Sequence, residues 1–207
     1  MEPRQRRRSK PSARGEQSRQ AILDVAERHF GKMGYRGAST AGIANDAQIS
    51  DPGLLHHFGS KDGLLMALLN RRYSRDSDKL RAGEHLSVEE MADNLEAITR
   101  ENVDQRDEVR LTMVLLAESI AQDHPGHEYF QMRYARARAI VARQLKGVLA
   151  DGEPDPKADP ETLASLILAV LDGLQLQWLL DPEVDMVSAV QAFNRLLTTA
   201  LARGGEL

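Results

Sequence analysis

The stretch STAGIANDAQISDPGLLHHFGSKDGLL, Ser39 to Leu65, decides how the rest of the chain is read. Thr40, Ser50 and Ser60 each carry a hydroxyl that can accept the free amides of a helix's first turn, and Pro52 falls near a first turn, where its missing N–H costs little. The pattern predicts a very short helix from Ala41 to Ala47, a second over by Gly59, and only Gln48 and Ile49 between them. Helices of this length do not persist alone in water, so a neighbouring helix must hold them. Ile43, Ala44, Ile49, Leu54 and Phe58 form their small core, leaving Thr40, Asn45, Gln48, Asp51, His56 and His57 outward. Such a pair is the geometry of a helix-turn-helix, whose second helix presents its N-terminal end to the DNA major groove.

Outward from this stretch the apolar residues recur at three and four, and no alternating pattern marks a strand. A first helix is expected from Ser18 to about Lys32, with Ile22, Val25, Ala26, Phe30 and Met33 on one face and Gly34 past its end. A fourth runs from Lys61 to about Arg81, with Leu64, Leu65, Leu68 and Leu69 inside. Two helices cover Val88 to Gln122, and a long one follows His124-Pro125-Gly126 to Ala150. After the Asp/Pro/Gly-rich segment 151–160 come Glu161 to Leu180 and Glu183 to Arg203. The fold class is all-α with nine helices.

Composition narrows the function. The 207 residues are 42% hydrophobic and 28% charged, enough to bury a core, and contain no cysteine, which excludes disulfides, thiolate metal sites and a cysteine nucleophile. The net charge of -4 divides unevenly: residues 1–61 hold 11 Lys+Arg against 6 Asp+Glu, and the remainder 16 against 25. Residues 1–17, with Arg4, Arg6, Arg7, Arg8, Lys10 and Arg14 among prolines and serines, read as a disordered basic arm suited to a polyanion. The window Leu163 to Leu180 has 13 apolar residues in 18 but is interrupted by Asp172, Gln175 and Gln177, so it reads as a buried helix rather than a membrane span. The chain is expected to be cytoplasmic. No His-Glu-x-x-His, phosphate-loop or nucleophile-elbow pattern occurs, so neither an enzyme nor a cofactor is expected.

The order Thr40, Ile43-Ala44, Ala47, Ile49-Ser50, Leu54, His57-Phe58, Lys61 and Leu64-Leu65 resembles the N-terminal domain of TetR-family transcriptional regulators, over roughly Ser18 to Leu69. Ala169 to Pro182 more loosely resembles that family's dimerisation helix. The resemblance implies a helix-turn-helix domain at 18–65 and a ligand-binding and dimerisation domain at 66–207. It further implies a homodimer that binds double-stranded operator DNA, commonly as a repressor, and is released by a small-molecule effector. The alternative is a helical protein- or ligand-binding module with weakened DNA recognition.

Candidate DNA contacts are Ser39, Thr40, Gln48, Ser50, Asp51, Pro52, Gly53, Leu55, His56, His57 and Lys61. Thr40 and Lys61 suit phosphate. His56 and His57, about 100° apart on a helix, do not converge on one metal. Three positions depart from the family pattern: Leu55 where a phosphate-touching tyrosine is usual, Gln48 where glycine is frequent in the turn, and Asp51 at the reading tip. Asp51 either accepts from a cytosine amino group or is a favourable helix-start charge. The dimer face is expected at Leu166, Val170, Gly173, Leu174, Gln177, Val190, Phe193 and Leu197. Ligand-pocket candidates are Leu95, Ile98, Val103, Met113, Leu116, Ile120, Tyr129, Met132 and Trp178, with Asn102, Gln175, Glu118 and His127 as polar anchors. With so few donors in the reading helix, the arm should supply affinity. Deleting residues 1–16 should therefore weaken operator binding and flatten its dependence on salt, as read from binding titrations across a salt series.

Overall fold

The computed structural model describes residues 13–80, 86–150 and 159–202, with side chains for 15–71, 86–148 and 159–200. Among them are nine helices and no strand: α1 (Ala13–Gly37), α2 (Thr40–Asp46), α3 (Asp51–Phe58), α4 (Lys61–Leu80), α5 (Val88–Asp104), α6 (Arg106–Glu118), α7 (His127–Ala150), α8 (Pro160–Leu180) and α9 (Met186–Ala202).

Most helix starts are explained by local caps. Ser50 Oγ accepts from Gly53 N at 3.2 Å and Ser60 Oγ from Gly63 N at 3.0 Å. Ser87 and Glu90 form a reciprocal capping box at α5. Asp159 caps α8 through Thr162 N at 3.0 Å, and Asp185 caps α9 through Ser188 N at 2.9 Å. Three boundaries correct the expectation from sequence. The cap of α2 is Ser39, not Thr40: Ser39 Oγ takes the Gly42 amide at 3.1 Å, and Thr40 is the first helical residue. The start of α9 is Met186 rather than Glu183, because Asp185 supplies its cap. Ser18 lies inside α1, which already begins at Ala13; residues 13–17 are Ala, Arg, Gly, Glu and Gln, mostly good helix formers. The rest of the expected arm, residues 1–12, lies outside the described residues.

α1 is the base of the N-terminal head. Ile22, Leu23, Val25, Ala26 and Phe30 are buried along it and pack with Ile43 and Ala44 of α2, Leu54 of α3, and Leu64, Leu65, Leu68 and Leu69 of α4. Ile49 and Phe58 are only partly buried against this core. Arg71 of α4 clamps the far side, bonding Asp24 and Glu27 of α1 at 2.6 Å each. The core does not close within the head, because Leu111 and Leu115 of α6 and Tyr129 and Phe130 of α7 complete it. α6 approaches α1 closely at Gly31, where a Cβ would lie in ordinary van der Waals contact, 3.5 Å from the Leu111 Cβ. α1 is therefore covered on two faces. Met33, expected inside, falls between those faces and is 44% exposed.

The body has its own core. Met91 and Leu95 of α5, Val141, Ala142 and Leu145 of α7, Ala164 and Ile167 of α8, and Val190 and Leu197 of α9 are buried together. Val109, Trp178 and Met186 form a smaller cluster, over which Arg106 stacks 4.7 Å from the Trp178 ring centroid. Within the single chain 17% of the most apolar window of α8 is buried, with Ala164, Ile167 and Trp178 turned inward. By length and composition α8 could cross a membrane. Asp172 at its middle instead accepts a hydrogen bond from the Tyr134 hydroxyl at 2.5 Å, and burial pushes the Asp172 carboxyl above the usual carboxylate range.

α1 breaks before its end. Gly34 has φ 71° and ψ 175°, outside helical geometry, and a Cβ there would lie 2.5 Å from Glu118 Oε1. Gly34→Ala should lower unfolding free energy by roughly 1–3 kcal/mol through left-handed strain and the displaced carboxylate, measured as a reduced urea midpoint with unchanged slope.

Candidate nucleic-acid interface

The turn between α2 and α3 is made by one residue in an uncommon conformation. Gln48, with φ 57°, is left-handed, the only non-glycine among the described residues with positive φ. Glycine adopts this geometry without cost, and glutamine adopts it here because its neighbours dictate it: Gln48 N bonds Asn45 O at 3.0 Å and Ile49 N bonds Ala44 O at 3.0 Å. The amide side chain of Gln48 is exposed beside the start of α3.

The eight residues of α3 divide by helical angle. Leu54 is fully buried and Phe58 partly so, and Asp51, Gly53 and His57 flank them half-buried. Opposite lies an exposed stripe of Pro52, Leu55 and His56. That stripe offers an edge without an N–H, a branched apolar side chain and one imidazole. Asp51 is turned partly inward, its Oδ1 buried and without a hydrogen-bond partner. The exposed polar groups around the tip are thus Ser39, Gln48, Ser50 and His56, and Thr40 is half-buried at the first turn of α2. His57 packs its ring on Phe58, with centroids 6.1 Å apart, and its carbonyl accepts from Arg19 at 3.3 Å.

Two side chains that the sequence reading missed hold this surface. Arg19 of α1 lies 4.6 Å from the Phe58 ring centroid while bonding the last turn of α3, where a cation also suits the helix dipole. Tyr35 lies beneath Lys61, whose Nζ is 4.5 Å from its ring centroid, and donates its hydroxyl to Asp62 in a short hydrogen bond. Burial and that bond push the Tyr35 hydroxyl far above its ordinary range. Lys61 is consequently a half-buried cation on a rigid support at the N-terminal end of α4. On α2, Asp46 bonds His29 of α1 at 2.8 Å, and the His29 and Asn45 hydrogen bonds hold its carboxyl below the usual range. The signal for Tyr35 was an aromatic directly after Gly34 in a chain only 4% aromatic.

The structure scatters the ligand-pocket candidates. Ile120 is 78% and Met132 64% exposed, so neither lines an interior space, and Val103 is also exposed. Leu95 belongs to the body core, Met113 and Trp178 to the smaller cluster, and Leu116 and Tyr129 to the head core. Ile98, Asn102 and Gln175 are half-buried. Glu118 and His127 are engaged elsewhere, on the Tyr35 amide and on the Ser119 carbonyl. A cavity of about 10 Å³ lies between α4, α6 and α7, lined by Leu68, Leu69, Leu111, Thr112, Leu115, Tyr129, Phe130 and Arg133. Of the candidates, only Tyr129 reaches it.

The dimer-face candidates also divide. Val190 is wholly buried and Leu197 nearly so in the chain's own core, with Leu174 and Phe193 packed against it, so these four face inward. Leu166 is 55% exposed, Gln177 is exposed, and Val170 and Gly173 are half-buried, with open space beside Gly173. Leu176, Leu180 and Leu196 join the exposed set at 52%, 80% and 72%. Half of the residues that the sequence pattern assigned to a partner instead bind α8 and α9 to the body.

Residues 22–68 match the family model for "Bacterial regulatory proteins, tetR family", and residues 89–203 match "BetI-type transcriptional repressor, C-terminal". The chain belongs to the tetR family of bacterial regulatory proteins. Among its relatives, the HTH-type transcriptional regulator UidR of Escherichia coli strain K12 is 25% identical over 160 residues, covering 76% of this chain and 79% of UidR. The HTH-type transcriptional regulator TtgR of Pseudomonas putida is 26% identical over 199 residues, covering 89% and 90%. The solved structure of Salmonella enterica GusR superposes with a TM-score of 0.70 at 23% identity over 92% of this chain and 96% of that one, the same fold. TetR-family proteins are DNA-binding transcription regulators rather than enzymes. Replacing Lys61 by Ala in this regulator should weaken binding by a similar factor across operator variants and reduce the slope of log K against log salt by about 1, as for any single phosphate contact. Fluorescence anisotropy across a salt series measures both.

Proposed function

We propose that this TetR-family regulator acts in the cytoplasm as a homodimeric repressor, its two heads gripping operator half-sites until a small-molecule effector displaces them. The observation that carries the reading is the head: a reading helix capped at Ser50, bolted to α1 through Arg19, and followed by Lys61 on its tyrosine support. Ser39, Thr40 and Lys61 contact phosphate. Gln48, Ser50, Pro52, Leu55 and His56 meet the groove, flanked by the half-buried Asp51, Gly53 and His57, with Leu55 available to a thymine methyl. The outward stripe of Pro52, Leu55 and His56 carries few donors, so backbone contacts and DNA shape contribute much of the affinity.

The second head comes from a second copy. Leu166, Leu176 and Leu180 on α8 and Leu196 on α9 leave an apolar face that a soluble monomer would not expose, and an identical face around a two-fold axis covers it. Gly173, with open space around it, admits close approach of a partner helix. Such an interface also sets the distance between the heads.

An operator selected by the wild-type protein from a pool of random duplexes tests the reading; failure to select any sequence over competitor DNA overturns it. Light scattering at micromolar concentration should give twice the 23.0 kDa chain mass. Leu176→Glu with Leu196→Glu should give the single-chain mass and lose at least about tenfold in operator affinity, because the half-sites are then bound separately.

A further inference from the structure

At the break at Gly34, Tyr35 and Arg36 begin a new turn, the place in a helix where backbone amides need partners from outside it. A residue 83 positions further on takes them: Glu118, at the last turn of α6, accepts from Tyr35 N at 2.5 Å and from Arg36 N at 3.4 Å. A carboxylate on backbone amides makes a short, charge-assisted bond. Gly34 leaves it room, since any Cβ would meet the Glu118 carboxylate.

The residue so gripped is the one under Lys61. Through its backbone Tyr35 is tied to α6, and through its ring and hydroxyl to Lys61 and Asp62 at the start of α4. The His124 ring meets Tyr35 edge-on at 5.0 Å and is itself fixed, its Nδ1 bonded to Ser119 Oγ at 2.9 Å and Gly126 N at 3.1 Å. At the other end of the linkage, Leu111 and Leu115 stand seven and three residues before Glu118, on the same side of α6. Both line the cavity against Leu68 and Leu69 of α4 and Tyr129 and Phe130 of α7. A helix this short moves as a rod, so a shift of α6 at the cavity arrives at Glu118.

We propose that Glu118 and Tyr35 are positioning residues for Lys61, so that the placement of the end of α6 sets how firmly the head grips phosphate. The proposal rests on the assignment of Lys61 to a DNA phosphate. It makes α6, through α1, a route by which the state of the body reaches the DNA surface, in addition to the direct passage of α4 between the two.

The experiment is a double-mutant cycle on an operator selected by the wild-type protein, using full-length variants whose folded fraction is checked by thermal melting. Tyr35→Leu and Glu118→Ala should each weaken binding about five- to tenfold where Lys61 is present, and less than about twofold in a Lys61→Ala background. Tyr35→Leu should also reduce the salt slope by about 1, as loss of the lysine contact does, which a merely structural role would leave alone. Tyr35→Phe, which keeps the ring beneath Lys61, should recover most of the affinity and the slope. Equal losses in both backgrounds, or a salt slope unchanged by Tyr35→Leu, overturn the proposal while leaving operator binding intact. If Lys61→Ala itself binds like wild type, the phosphate assignment falls and the proposal with it. A wild-type protein that selects no operator refutes the functional reading instead.

Discussion

Two leucines of α6, Leu111 and Leu115, lodge in the core that α1 builds for the head, and the reading surface depends on that contact. The helices α2 and α3 are too short to stand alone. Ile43, Ala44 and Leu54 are buried against α1, and α1 in turn is covered on its far side by α6. The head shares its hydrophobic core with the body. Its core is completed by residues from α6 and α7, which means that whatever displaces those helices acts on the base to which α2 and α3 are fixed.

The surface carried on that base is economical in base-reading groups. Pro52, Leu55 and His56 face outward, Asp51 is turned half inward with one oxygen buried, and Gln48 spends its backbone on a left-handed turn. The stronger features are mechanical and electrostatic: Arg19 stapling the end of α3 to α1, and Lys61 laid on Tyr35. In the proposed complex such a head would leave sequence discrimination to few direct contacts and give the shape and deformability of the duplex a larger share.

The body solves a different problem. α8 is apolar on more sides than one chain can cover: Ala164, Ile167 and Trp178 turn inward, while Leu166, Leu176 and Leu180 stay in solvent. Asp172, hydrogen-bonded to Tyr134 and half-buried, sits between these faces. Asp172 is thus paired within the protomer and Gln177 is exposed, an arrangement that suits the proposed subunit interface.

Much of this was legible in the sequence because it is local. Ser50 and Ser60 cap the helices that follow them, since a hydroxyl and a first-turn amide three residues on are always within reach. The spacing of Leu64, Leu65, Leu68 and Leu69 marked a buried face, and the motif from Thr40 to Leu65 carried the family resemblance. Where two neighbours could do the same job, local rules erred by one: Ser39 caps α2, not Thr40. What only the tertiary structure decided is partnership. Periodicity places Val190, Leu197 and Leu166 on apolar stripes but does not say which stripe meets the chain's own core, and packing sent Val190 and Leu197 inward and left Leu166 out. Nothing near Glu118 in sequence points to Tyr35, 83 residues away; a glycine with positive φ and the approach of α6 to α1 bring them together. Caps and periods act over one or two turns of backbone, whereas the choice of which face, and which distant carboxylate, is made by the closure of a common core.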